Sequence, residues 1–329
     1  MDAQISARNA QQRHVIDDPS KVGEARRAAQ TLANFELDTE TAGRVAIAAT
    51  ELGNNLLRHA GGGELLLQKL GNDDATSIEL LAIDRGPGMQ DIERCMTDGY
   101  STAGTPGTGL GAVRRLASEF DIYSEPGEGT VVMARFGAVM KSQFGAVSLP
   151  LQGEVICGDA WHLADSAQGL SLFVIDGLGH GAFAGEAAQV GIDAFQMAPF
   201  DEPQDILARA NGLLSKTRGG AAACARMVGE TLSYAGVGNI SAALVSAGKS
   251  QGLVSHNGTL GIHKRRNQQF EYRRDPGCLL VMHSDGVSAR WDLKNRAALL
   301  ARHPAIIAAV IYRDHARERD DSTVVVVAW

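Results

Sequence analysis

Polar and apolar positions along this chain follow two periods, and the switches between them mark its elements. From Asp38 to Ala60, in DTETAGRVAIAATELGNNLLRHA, apolar side chains recur at Val45, Ala48, Ala49, Leu52 and Leu56 behind a capping-type start. That spacing predicts a helix of several turns. The stretch GGGELLLQKLGNDDATSIELLAID reads as two strands joined at the turn-rich GNDD, the second running up to Asp84. LGAVRRLASEF then reads as a helix, and DIYSEPGEGTVVMARF as a hairpin turning on Pro126 to Gly129. A helix pair on a mixed sheet fits this order.

Past Phe136, the segment GAVMKSQFGAV has small residues and no strong period, which places a seam there. AVSLPLQGEVICGDAWHLADSAQGLSLFVIDG reads as successive strands. AGEAAQVGIDAFQM and QDILARANGLLSK read as helices, and short strands follow up to the final STVVVVAW. Strands, then helices, then more strands suggest an α/β sandwich layered about two sheets. The expected fold class is α/β (α+β), with a first domain over 1–136, a linker over 137–145 and a second domain over 146–329.

Composition narrows the function classes. With 44% hydrophobic residues in 329, the chain has material for two cores. The start MDAQISARNAQQRH has no basic segment followed by an apolar one, and the runs AIIAAVIY and VVVVAW are too short for a membrane span. A cytoplasmic protein is expected. Cys95, Cys157, Cys224 and Cys278 lack the short paired spacings of a zinc site, and read as buried thiols. The net charge of −7 lies in the first part: residues 1–136 carry 13 Lys and Arg against 20 Asp and Glu, leaving 18 against 18 of the totals 31 and 38. Neither half has the basic excess that drives binding to a phosphate backbone, so nucleic acid is not an expected partner. The basic cluster HKRRNQQFEYRR reads as the solvated face of a hairpin.

Three pieces of the first half carry chemistry. Glu51 and Asn55, four apart, share one helix face and can hold a base and a metal ligand together. In DRGPG, Asp84 ends a strand where its carboxylate can accept from an exocyclic amine, and Gly86 and Gly88 let backbone approach a flat ring. GTPGTGLG, Gly104 to Gly111, precedes a helix, so bare amides and a helix N-terminus face any anion there. Each alone has an ordinary explanation as a surface pair, a turn or a loop. In this order and spacing, over residues 15 to 136, they resemble the N box and two glycine boxes of the GHKL (Bergerat-fold) ATP-binding family, at Glu51/Asn55, Asp84-Gly86-Gly88 and Gly107-Gly109-Gly111. The segment from Asp91 to Thr130 is most similar to the small serine/threonine switch kinases related to anti-sigma factors, of the stressosome RsbT type. This resemblance implies Glu51 as the base that deprotonates a protein Ser or Thr, and Asn55 as ligand to the magnesium on ATP. It further implies Asp84 as the adenine reader, residues 99 to 111 (with Gly107, Thr108, Gly109, Leu110 and Gly111) as the lid, and Thr130 beside the adenine. Phosphoryl transfer needs chiefly positioning and charge neutralisation, which a metal and a cage of amides supply. Sensor histidine kinases share the fold, but the stretch ahead of the N-box helix is too short for their dimerising hairpin. His14 sits in a polar leader, and His59 reads as a helix-end residue.

In the second half, VIDGLGHG makes sense if Asp176 ends a strand pointing into a cleft and the Gly177 carbonyl also binds a cation. Asp159, Asp285 and the doublet Asp320-Asp321 each lie beside an apolar strand-like run. Gathered without cations, such carboxylates would repel strongly; two metals would neutralise them and activate a water for in-line attack on a phosphate ester. DGLGHG, SDG and RDDST, with YAGVGNISAAL and SHNGTLG in support, resemble the metal-dependent protein phosphatase (PPM) family in its SpoIIE-like branch, of the RsbX type, over about residues 145 to 329. The resemblance implies that Asp159, Asp176, Gly177, Asp285 and Asp320 hold two manganese or magnesium ions, with Asp321 the open alternative to Asp320. Cys157 departs from the glycine usual before Gly158-Asp159. His180 is left open between orienting its loop and meeting the substrate phosphate.

Together the resemblances imply a bifunctional regulator in a bacterial partner-switching pathway, phosphorylating a STAS-domain antagonist and removing phosphate from it or a relative. Fusion would keep both activities near one target. A further signalling partner and a homodimer are left open. The alternative is a phosphatase whose GHKL domain senses ATP or binds a sigma factor with little transfer of its own.

Overall fold

The computed structural model describes residues 3–6, 11–72, 75–96, 109–262 and 268–329, and the chain divides into two compact units. The first unit spans Gln11–Lys141, and the second combines Met1–Ala10 with Ser142–Trp329. The strand β1 (Ala3–Ser6) pairs antiparallel with residues His162–Asp165, which is why the start of the chain counts with the second unit and not with the 1–136 domain expected from sequence.

The first unit runs β2 (Gln12–Ile16), α1 (Pro19–Glu36), α2 (Thr39–Ala60), β3 (Gly63–Asn72), β4 (Ala75–Ile83), α3 (Ile92–Cys95), α4 (Gly109–Leu116), β5 (Glu119–Glu125) and β6 (Gly129–Gly137). Helix α2 starts where expected, because Asp38 Oδ1 accepts from the Thr41 amide at 2.9 Å and ties down the first turn. Its apolar stripe packs with Val22, Ala25, Ala29 and Ala33 of α1 onto Leu65, Leu67, Ile78, Leu80, Val132, Ala134 and Phe136 of the sheet.

The five strands lie in the order β2-β3-β4-β6-β5, and every ladder among them is antiparallel. The sheet is therefore not mixed. Strand β5 follows β4 through a helical crossover and runs the same way, but β6 inserts between them, so no parallel ladder forms. His14, expected in a polar leader, sits on β2 opposite Leu65. Across β4 and β6, Arg135 Nε donates to Glu79 Oε2 at 2.7 Å with both side chains buried, and Gln68 Nε2 donates to Glu79 Oε1 at 2.5 Å.

The second unit is a sandwich. Its strands are β1, β7 (Gln143–Leu149), β8 (Asp159–Ser166), β9 (Gly169–Gly177), β10 (Gly220–Val228), β11 (Thr231–Val237), β12 (Ser241–Ser246), β13 (Lys249–Gly252), β14 (Phe270–Arg273), β15 (Leu279–His283) and β16 (Ser322–Ala328). One sheet has the order β1-β8-β9-β10-β11-β14 and the other β13-β12-β15-β16-β7. Helices α5 (Ala182–Gln196) and α6 (Pro203–Leu214) cover the first sheet; α7 (Ala297–Leu300) leads into α8 (Pro304–His315), which packs on β7 and β16. Helix α8 takes up the run AIIAAVIY and is buried from Pro304 through Arg313, so it carries no polar face from which a period could be read. Cys157, Cys224 and Cys278 are buried free thiols, while Cys95 is half-exposed. No helix among the described residues is long and apolar enough to cross a membrane.

Candidate active sites

In the first unit, the pieces expected to bind a nucleotide converge at the end of the sheet. Glu51 and Asn55 project from α2 toward the start of α4. A Cβ placed on Gly109 would lie 3.4 Å from both Glu51 Oε2 and Asn55 Oδ1, at ordinary van der Waals contact, so the second glycine box abuts the N box. The Asn55 amide nitrogen is buried with no hydrogen-bond partner among the described residues. A buried, unpaired carboxamide is costly unless something binds it, and its two ends can exchange by a flip, so oxygen or nitrogen can face a ligand.

Asp84 is fixed where β4 ends. Its Oδ1 accepts from the Gly86 amide at 2.8 Å and from the Thr130 amide at 3.0 Å, and its own amide donates to the Thr130 carbonyl at 2.9 Å. Thr130, a buried residue on β6, thus stands beside Asp84, and its hydroxyl lies 2.9 Å from that of Ser124. Gly88 has φ of +68°, and a Cβ there would meet the Glu125 carbonyl at 2.2 Å, so the DRGPG turn requires glycine at this point. Leu110 packs its side chain on the helical core, and Gly111 is buried in α4. Gly107 and Thr108, with most of the expected lid, lie outside the described residues. The unit thus holds a fixed acceptor at Asp84, and a carboxylate and carboxamide, Glu51 and Asn55, that abut the start of α4.

In the second unit the carboxylates gather through strand pairing. Asp159 and Asp176 are direct partners across the β8–β9 ladder, so the pleat sends both side chains to one face. The Gly177 amide donates to the Gly158 carbonyl at 2.9 Å, and a Cβ on Gly177 would strike the Ala184 carbonyl at 2.1 Å, which lets α5 press against this strand end. Asp285 follows β15, and Asp320 and Asp321 precede β16. Burial drives the Asp176 carboxyl well above the usual range, and Asp159, Asp285, Asp320 and Asp321 add to the push. Asp159 is raised likewise by burial, against the hydrogen bonds of Ser284 and Thr323. Asp320 is raised by burial and by Asp285.

The doublet divides. Asp321 is buried, with Oδ1 accepting from the Leu151 amide at 2.7 Å and Oδ2 from the Gly158 amide at 2.8 Å, so both of its oxygens are occupied. Asp320 is half-buried, and among the described residues its Oδ1 accepts only from the amide of Asp321 at 2.9 Å. Two neighbours not singled out from sequence complete the cluster. Asn239 Nδ2 donates to Asp285 Oδ2 at 2.6 Å and reaches Asp176 Oδ2 at 3.5 Å. Glu154 Oε1 lies 2.8 Å from Nδ1 of His180, whose ring is within electrostatic reach of Asp320 and Asp321. Asn239 sits in the quoted YAGVGNISAAL, where an amide between glycine and a strand was the available signal; nothing in the sequence pairs Glu154 with His180.

Among the described residues, no three Asp, Glu, His or Cys side chains close tightly enough to grip an ion in this arrangement. The donor set nevertheless fits hard divalent cations in kind. It is all oxygen, its members raise one another's pKa, and Asp159 Oδ2 is buried without a partner among the described residues.

Fold and sites together define a two-domain signalling enzyme, an ATPase-type kinase domain joined to a metal-type phosphatase sandwich. Residues 15–136 match the histidine kinase-like ATPase domain family, and residues 166–329 match the family of stage II sporulation protein E (SpoIIE). The serine/threonine-protein kinase RsbT of Bacillus subtilis (strain 168) is 38% identical over 91 residues, which are 28% of this chain and 68% of RsbT. The chain belongs to the RsbT family of serine/threonine kinases through its first unit, and its second carries a SpoIIE-type serine phosphatase domain. A structure from work on the bacterial stressosome, a modular system adapted to control secondary messenger signaling, aligns with a TM-score of 0.53 and 28% identity over 57% of this chain and all of its own. RsbX in complex with magnesium aligns with a TM-score of 0.52 and 19% identity, over 64% of this chain and all of RsbX, a likeness of fold.

Proposed function

We propose that the chain is a bifunctional kinase and phosphatase that phosphorylates Ser or Thr on a STAS-domain antagonist and removes phosphate from that protein or a close relative, in a partner-switching pathway of the stressosome kind. One observation carries the reading: each unit keeps its own chemical groups. Glu51 and Asn55 face the start of α4 in the first unit, and Asp159 and Asp176 oppose each other in the second.

In the kinase reaction Glu51 accepts the proton of the incoming hydroxyl, Asp84 accepts from the adenine amine, and the amides at the start of α4 face the phosphates. Asn55 would hold magnesium, which when bound neutralises charge on the transferring phosphoryl group. In the phosphatase reaction Asp159, Asp176, the Gly177 carbonyl, Asp285 and Asp320 would hold two manganese or magnesium ions, which when bound polarise the phosphate ester and activate the attacking water. Asp320 takes this role over Asp321 because both oxygens of Asp321 are held by backbone amides. Asn239 and the Glu154–His180 pair orient groups around that cluster.

The test incubates the full chain with a STAS-domain protein and radiolabelled ATP-Mg. Wild type should label the partner and Glu51→Ala should not; equal labelling by both overturns the kinase assignment. Adding manganese should then release the label. If ATP changes the release rate from a pre-phosphorylated partner while no transfer occurs, the first unit is a nucleotide sensor.

A further inference from the structure

Beside the carboxylates of the second unit lies a surface that the chemistry above does not use. Two segments build it. Residues 154–156 run along the first turn of α5: a Cβ on Gly185 would meet Ile156 Cγ2 at 2.5 Å, and one on Gly181 would meet Glu154 Oε2 at 3.1 Å. Residues 178–181 form the turn from β9 into α5, whose first turn carries Phe183. Together they expose Val155 (87%), Phe183 (63%), Leu178 (51%) and Ile156 (47%). Apolar side chains grouped this way at a reaction cleft mark an interaction site more often than chance.

Arg218 completes the surface. Its guanidinium carbon sits 4.9 Å above the centroid of the Phe183 ring, and its Nη1 would lie 3.3 Å from a Cβ on Gly179. Gly179 in turn places its carbonyl 3.3 Å from where a Cβ on Gly158 would stand, next to Asp159. Arg218 is exposed and has no carboxylate partner among the described residues, whereas Arg209, Arg226 and Arg273 each hold one. A guanidinium stacked on an aromatic ring keeps its N–H edge available, and that edge matches phosphate oxygens.

We propose that Arg218 with Val155, Ile156, Leu178 and Phe183 forms the docking surface for the phosphatase's protein substrate, a phosphoserine or phosphothreonine flanked by apolar side chains. Arg218 meets the phosphate as it enters, and the apolar residues cover its neighbours along the substrate chain. Charge complementarity and continuity with the aspartate cluster select this occupant. The proposal rests on the phosphatase reading above.

The experiment measures manganese-supported hydrolysis by the full chain on three probes: a phosphoserine peptide flanked by leucines, the same peptide flanked by serines, and p-nitrophenyl phosphate. Wild type should favour the leucine-flanked peptide in kcat/KM. The Val155→Ser/Leu178→Ser double variant should cut that preference about tenfold relative to the other two probes. Arg218→Ala should raise KM on all three by about tenfold, and Arg218→Lys should recover part of the loss, because a point charge replaces a fork. An unchanged flank preference in the double variant, or an unchanged KM in Arg218→Ala, overturns the docking surface. Failure of wild type to hydrolyse any probe overturns the phosphatase reading itself.

Discussion

The two units bring their candidate site residues together in opposite ways. The first draws its carboxylate and carboxamide, Glu51 and Asn55, from neighbouring turns of one helix, one residue pair on one face. The second collects its carboxylates from the ends of strands far apart in the chain, with Asp159 set against Asp176 by ladder register. In the first unit local helix geometry does the positioning. In the second, a single slip of register would send one aspartate to the wrong face. The placement of these groups therefore depends on capping and helix packing on one side, and on sheet pairing on the other.

Substitutions can break this contrast, and the largest effect tests whether the chemistries separate. Glu51→Gln should cut phosphotransfer by about 10²–10⁴-fold while phosphatase turnover persists, and Asp176→Asn should do the reverse. Parallel loss of both rates in either variant would show one site where two are described. Next in size is the buried pair beneath the first unit's strands. Arg135→Ala leaves Glu79 uncompensated in the interior and should lower unfolding free energy by about 3–5 kcal/mol in denaturant melts; a change under about 1 kcal/mol would mean water reaches that carboxylate.

The doublet gives a sharper case. Asp321→Ala should cost about 1–3 kcal/mol for each backbone amide left unpaired, at Leu151 and Gly158. Asp320→Ala should leave the melting curve near wild type yet weaken manganese-dependent turnover; the opposite pattern would exchange their roles. The smallest effect is on pH. Burial raises the Asp159 and Asp176 carboxyls, so with ions chelated the folded chain retains protons that the unfolded chain releases. Stability is then lost as pH rises above the ordinary carboxylate range, and the melting midpoint should fall from about pH 5 upward. Manganese at a hundredfold excess over its Kd should restore about 2.7 kcal/mol. A midpoint that climbs with pH in chelator would show those acids already charged.

Much of this was legible where pattern is local. The α2 stripe, the hairpin at Pro126 to Gly129 and the chemistry-bearing aspartates all declared themselves through spacing or through position at the end of an apolar run. Other parts were hidden for identifiable reasons. Helix α1 carries its core stripe on Val22 and three alanines, a weak signal beside its charged residues. The antiparallel sheet of the first unit depends on β6 entering between β4 and β5, which no local pattern records. Asn239 and Glu154 acquire meaning only through partners brought in by folding, Asp285 and His180. That Asp321 holds the Leu151 and Gly158 amides was likewise hidden, because both partners lie far away in the chain.

The pairing of β1 with β8 makes the two halves inseparable by a single cut. A fragment beginning at Ser142 would lose its outermost strand and leave the hydrogen-bonding groups of β8 bare, an invitation to stick to its own kind. During synthesis the earliest residues must also wait, unpaired, until the ribosome has delivered the strand that receives them.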